Sequence, residues 1–68
     1  MDAKLRGYIR NVLMDNRASK LDELDAALTN EQASREFVDK KLGDYRDSLI
    51  AQIKFADWED SQNAAPKN

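Results

Sequence analysis

The sequence predicts an all-α protein, on three observations. Only two Gly and one Pro occur among the 68 residues. Strong helix formers dominate the composition, and no stretch alternates apolar and polar side chains in the manner of a β-strand. We therefore expect helix over most of residues 2–58. They would belong to a single helical domain, residues 1–60, followed by a disordered tail at residues 61–68.

One long helix is predicted for the second half of the chain. Thr29 and Gln32 have the spacing of a capping box, which would start this helix at about residue 30. An apolar stripe with steps of three or four residues then continues towards Trp58. The stripe is as narrow as a coiled-coil seam, so we predict that it packs against a second copy or a partner. The residues of this seam are Val38, Leu42, Tyr45, Leu49 and Ile53.

The first half of the chain has two apolar faces that differ in direction by about 120° under ideal helix geometry. The first face consists of Leu5, Tyr8, Ile9, Val12 and Leu13. The second face consists of Met14, Leu21, Leu24, Ala27 and Leu28. A break within residues 15–19, with Ser19 as a second N-cap, would give a three-helix arrangement. Without a break, helices at residues 2–28 and 30–58 would form a helical hairpin that assembles into a bundle. The two architectures stay open.

The composition excludes most catalytic chemistry. The chain contains neither Cys nor His, so it lacks disulfides, thiolate ligands and the usual general base. Acid pairs such as Asp22 with Asp25 are typical of a solvated helix surface. We expect no enzymatic activity, no cofactor, no metal and no small-molecule substrate. No apolar run is long enough to cross a membrane, and the first residues do not resemble a secretory signal, so we expect a cytoplasmic protein.

The short length of the chain and its lack of Cys and His favour partner binding as the function. A lone monomer of this length is marginally stable, and the composition excludes stabilisation of its fold by disulfides or by a metal ion. We predict a helical protein–protein interaction module, a small regulator, inhibitor or adaptor that packs on a larger partner or forms a homodimer. Phe37 and Phe55 share a helix face and are expected to complete the core, with a role as partner anchors as the alternative. The candidate partner contacts are Arg6, Tyr8, Arg10, Arg17, Phe55 and Trp58.

Nucleic-acid binding is the alternative function. The net charge of −2, from 13 acids and 11 bases, does not by itself indicate a nucleic-acid-binding protein. Residues 1–20, however, hold five bases against two acids, and Arg6, Arg10 and Arg17 lie along one line of the first helix. Such a basic face could contact phosphates, so the alternative is a dimeric helical-bundle regulator that binds RNA or DNA.

Two short segments resemble the Rop-type RNA-binding family. One is Leu21-Asp22-Glu23-Leu24-Asp25-Ala26, followed by Glu31-Gln32-Ala33, and it is similar to the hairpin region of that family. The other, Tyr8-Ile9-Arg10, is similar to an aromatic-Ile-Arg stretch on the family's first helix. The resemblance implies a dimeric four-helix bundle that grips paired RNA loops with its first helices. Extra residues in the first helix and at the hairpin loop interrupt the likeness, so we do not assign the chain to that family.

Overall fold

The computed structural model describes residues 2–63, which form an antiparallel hairpin of two helices of nearly equal length. Helix α1 comprises Ala3–Thr29 and helix α2 comprises Arg35–Asn63. The Cα positions extend over 58 × 21 × 12 Å, so the hairpin is a layer one helix thick. The all-α prediction is confirmed, and of the two open architectures the hairpin is the one observed.

Helix α1 has a side-chain cap and no break. The carboxylate of Asp2, which precedes the helix in extended conformation, accepts a hydrogen bond from the backbone N–H of Lys4 at 3.1 Å. The helix continues through residues 15–19, and Ser19 lies inside it rather than at a second N-terminus. The alternative with a break is therefore not the one observed. The helix can stay unbroken because the two apolar faces of α1 serve opposite sides of the hairpin.

The predicted capping box at Thr29 is also wrong. Thr29 is the last residue of α1, and its hydroxyl donates to the carbonyl oxygens of Asp25 and Ala26 at 3.1 and 3.2 Å. This hydroxyl therefore serves the C-terminal end of one helix rather than the N-terminal end of the next. Ser34 has the capping role instead, because its hydroxyl accepts the backbone N–H of Phe37 at 3.1 Å.

The loop between the helices, residues 30–34, is shaped by Asn30. Its backbone N–H donates to the carbonyl of Ala27 at 3.3 Å, and its side-chain oxygen accepts the N–H of Gln32 at 3.0 Å. The loop contains neither Gly nor Pro. No positive φ occurs among the described residues, so the turn is made with ordinary backbone conformations.

Helix α2 extends five residues beyond Trp58, to Asn63. Residues 61–63 are therefore helical, although the sequence predicted a disordered tail there. The rest of that predicted tail, residues 64–68, lies outside the described residues, as does Met1.

The core between the helices is small. Only Leu24, Ala27 and Ser48 are buried among the described residues, with exposures of 7%, 3% and 4%. The Ser48 hydroxyl is satisfied within its own helix, since it donates to the carbonyl of Tyr45 at 2.6 Å. Ala27 and Ser48 are short side chains, which suits the close approach of two helix backbones. The remaining contacts between α1 and α2 use half-buried residues.

Two ion pairs connect the helices, one towards each end of the hairpin. Arg10 pairs with Glu59 at the open end, and Lys41 pairs with Glu23 at 3.1 Å nearer the loop. Along α2, Arg35 pairs with Asp39 at 3.7 Å and Lys40 pairs with Asp44 at 3.2 Å, each four residues apart. The pairing of Arg10 with Glu59 across the hairpin confirms the antiparallel register.

Candidate interaction site

The hairpin has two apolar faces, one on each side of its single layer. At about 100° per residue, several apolar side chains of each helix lie roughly 90° to one side of the line of contact between α1 and α2. Because the helices are antiparallel, these side chains of both helices reach the same surface. This surface, here called the leucine face, consists of Met14, Leu21, Leu28, Leu42, Leu49 and Ile53. The opposite surface, here called the aromatic face, consists of Leu5, Tyr8, Val12, Phe37, Phe55 and Trp58.

The leucine face is open to solvent within one chain. Five of its six residues are between 43% and 64% exposed, and Leu49 is half-buried. Large apolar side chains in such a continuous arrangement are unusual on the surface of a stable monomer. This face is therefore suited to contact with another apolar surface.

The predicted seam of α2 lies at the border between the core and the leucine face. Val38 and Tyr45 are half-buried and turn towards α1. Leu42 and Ile53 are exposed on the leucine face, and Leu49 lies between these two groups. The hairpin thus covers only one edge of the seam. Packing of this seam against an oligomer partner stays a prediction.

The aromatic face is most pronounced at the open end of the hairpin. The rings of Phe55 and Trp58 are stacked, with centroids 5.6 Å apart and planes 24° apart, and both residues are half-buried. Tyr8 lies on the same side of the neighbouring helix and is 66% exposed. The structure therefore places three of the predicted partner contacts on one surface.

Phe37 is not a core residue, contrary to the expectation from its spacing with Phe55. It is exposed, and the ammonium group of Lys41 lies 5.3 Å from its ring centroid. The facing part of α1 includes the short side chains of Ala26 and Ala27. With Glu23 and Asn30 they line a shallow open depression of about 280 Å³ beside the ring. The ring has little to pack against there, which explains its exposure.

One of the three arginines on the predicted basic line of α1, Arg10, forms an ion pair with α2. Arg10 donates from Nε to Glu59 Oε1 at 3.2 Å and from its terminal nitrogen to the other oxygen of the same carboxylate. The hydrogen bond from Arg10 lowers the pKa of Glu59, and the hydrogen bond to Glu59 raises the pKa of Arg10. Arg6 and Arg17 are half-buried, and their Nε atoms are shielded from solvent without a hydrogen-bond partner in residues 2–63. The nucleic-acid alternative stays a prediction.

Lys41 and Glu23 form the second link between the helices. The hydrogen bond from Lys41 is the main cause of a lowered pKa of Glu23, and the charge of Lys20 contributes to the same shift. Both carboxylates that bridge the hairpin are thus stabilised in the ionised form.

The described residues contain no group of three or more acidic side chains placed to hold a metal ion. Neither helix, as far as it is described, has an apolar segment long enough to cross a membrane. The leucine face and the aromatic face therefore offer apolar contact area, bordered by charged side chains, on opposite sides of the hairpin.

Sequence reasoning placed Met14, Leu21 and Leu28 on one apolar face of α1 but did not join that face to the seam of α2, and it missed the role of Glu59. Met14, Leu21 and Leu28 are spaced by seven residues, a pattern that could have been matched to the spacing of Leu42 and Leu49. No local signal marks Glu59, since its partner Arg10 is 49 residues away.

Comparisons of the chain with protein-family models, with curated proteins and with solved structures gave no match.

Proposed function

We propose that this chain is a non-enzymatic helical interaction module that acts by packing its apolar faces against another protein chain. The observation that carries this proposal is that the hairpin buries few apolar side chains in its core and exposes many on its surface. Two apolar residues, Leu24 and Ala27, are buried among the described residues, whereas ten large apolar side chains are at least 41% exposed. A hairpin with this distribution gains more from contact with another chain than from its own core.

The two faces suit different contacts. The leucine face is long and aliphatic, which favours helix-on-helix packing. The aromatic face is concentrated at the open end, where Tyr8, Phe55 and Trp58 lie together. Tyr and Trp are enriched where protein surfaces pair, so these residues are the proposed anchors for a larger partner. In this proposal the module is a small regulator, inhibitor or adaptor of that partner.

The charges support a protein partner over nucleic acid. Binding to phosphates would use arginines that are free to reach the backbone of RNA or DNA. Here Arg10 is held by Glu59, and Arg6 and Arg17 are half-buried with their Nε atoms shielded from solvent. A phosphate contact by Arg10 would have to break its bidentate ion pair.

The test is face-dependent association. Tagged wild-type chain and two variants, Leu28→Glu on the leucine face and Tyr8→Glu on the aromatic face, are used to capture chains from cells of the source organism. The two positions are matched, since both lie on α1 and are 64% and 66% exposed. A captured chain is then purified, and its affinity for each variant is measured directly.

We expect at least one chain, either another copy or a different protein, whose binding one of these variants weakens by about tenfold or more. The proposal is wrong if no association, with itself or with another chain, depends on either face. A titration with RNA and DNA at two salt concentrations tests the alternative, because phosphate contacts make affinity fall steeply with salt.

A further inference from the structure

We propose that the leucine face is closed by a second copy of this chain, so that two hairpins related by a twofold axis form a four-helix bundle. The inference rests on the proposed function, which does not name the partner chain. For the leucine face, the inference names a second copy as that partner. The aromatic face of each copy then remains outside the bundle.

The width of the leucine face is the first argument. Its apolar side chains form two parallel rows, with Met14, Leu21 and Leu28 on α1 and Leu42 and Leu49 on α2. A single partner helix would lie in the groove between the rows and leave their outer edges exposed. A layer of two helices covers both rows, and this chain is itself such a layer, with a smallest extent of 12 Å.

The period of the rows is the second argument. On α1, Met14, Leu21 and Leu28 repeat at intervals of seven residues, and on α2 the same interval separates Leu42 from Leu49. This spacing allows helices to wrap around one another with a slight left-handed supercoil. When a second copy is turned over the first about Leu21, Met14 of one α1 meets Leu28 of the other. Such self-complementarity is what a twofold interface requires.

The area of the leucine face suits a dimer. Six aliphatic side chains that are about half exposed present on the order of 400 Å² of apolar surface. This lies within the range of the largest apolar patches found on monomers, which are often functional. With the polar rim included, the contact approaches the roughly 800 Å² per partner that is typical of specific interfaces.

The charges along the edges of the leucine face are mixed in sign. Arg17 and Asp25 border it on α1, and Arg35 and Asp60 border it on α2. A face that carries both signs in balance matches itself better than it matches a strongly acidic or basic surface.

The experiment is sedimentation equilibrium of the full chain from about 1 µM to about 200 µM, a range that covers micromolar dimers. We expect the wild-type chain to have twice the monomer mass at the upper end. Leu28→Glu places two carboxylates in the closed interface, one from each copy, and should weaken dimerisation by at least about 100-fold. The matched control Tyr8→Glu lies on the other side of the layer and should change the dissociation constant by less than about threefold.

Helicity is measured by circular dichroism on the same samples. If Leu28→Glu loses helicity even at high concentration, Leu42→Glu replaces it, since Leu42 belongs to the same face on the other helix and is 51% exposed. Dimerisation that survives in a helical leucine-face variant would overturn the inference.

A wild-type chain that is a single copy at every concentration would also overturn the inference. If that single copy still loses a different protein on Leu28→Glu or on Tyr8→Glu, the second-copy inference fails and the proposed function stands. If neither variant affects any association, both fail. The two ideas are therefore separated by the same pair of variants.

Discussion

Replacing Leu24 by Ala is the most direct test of how much the small core between the helices contributes to the stability of the hairpin. Leu24 is 7% exposed, so the mutation removes three carbon atoms that are almost completely shielded from water. At about 0.8 kcal/mol for each buried carbon, the transfer contribution is about 2.4 kcal/mol. A layer of only two helices can close around the missing side chain, so the added cavity penalty should be small and the total about 2–3 kcal/mol. A domain of this length has a stability of roughly 3–10 kcal/mol, so the loss is a large fraction.

The assay is thermal and urea unfolding followed by far-UV circular dichroism at one fixed protein concentration. The matched control is Leu5→Ala, the same substitution on the same helix at a side chain that is 48% exposed. The control should cost about 1 kcal/mol or less, since half of the transfer contribution is absent and the first turn of a helix frays. For a domain of this size the difference corresponds to a shift in Tm of several degrees. Equal losses at Leu24 and Leu5 would refute the assignment of Leu24 to the core.

Three further substitutions test the helix ends, an outer position and the bridging ion pair. Ser34→Ala should lower the free energy of unfolding by about 1 kcal/mol, because the N–H of Phe37 loses its acceptor, and an unchanged urea midpoint would contradict this cap. Gly43→Ala should raise stability by about 0.5–1 kcal/mol, since a Cβ there meets no atom within 4 Å, and a loss of stability would show that the site is not open. Glu59→Gln should flatten the loss of stability in acid. The folded pKa of Glu59 is lowered by Arg10, so its contribution is present above the unfolded pKa of about 4.3 and is lost as pH falls through the folded value. Identical acid unfolding curves of the two proteins would argue against this ion pair.

The all-helical architecture could be predicted because it depends on composition and local periodicity, which the sequence shows directly. The position of the second N-cap could not. Thr29 and Ser34 are both acceptable caps by residue type. The choice between them depends on how far α1 must extend to bury Leu24 and Ala27 against α2, which is a tertiary property. The Thr29 hydroxyl then satisfies carbonyls of its own helix instead.

The sequence left a break in α1 open for a related reason. A change in the direction of apolar residues along a helix indicates a kink only if every apolar residue must face one core. In this hairpin, Tyr8 and Val12 lie on the aromatic face, whereas Leu21 and Leu28 lie on the leucine face. The line of contact with α2 passes between them. The helix can stay straight because a single layer has two sides to which apolar residues can point.

The candidate site was predictable only in part. The seam on α2 was found because its residues are close in sequence. The ion pair between Arg10 and Glu59 joins residues 49 positions apart, and no local sequence pattern predicts such a pair. Phe37 and Phe55 have similar positions on the helix, yet what each packs against differs, because the facing part of α1 has short side chains beside Phe37.

The loop without Gly or Pro has a consequence for the topology of the chain. Glu31, Gln32 and Ala33 are all compatible with helix, and none needs a backbone conformation that helix forbids. The reversal of direction therefore depends on the side chains of Asn30 and Ser34 and on contact between the two arms. If those contacts were exchanged with a neighbouring molecule, residues 3–63 could straighten into one rod about 90 Å long without backbone strain. Domain swapping would thus require no strained backbone conformation in this loop, and insertion of a Gly there would disfavour it.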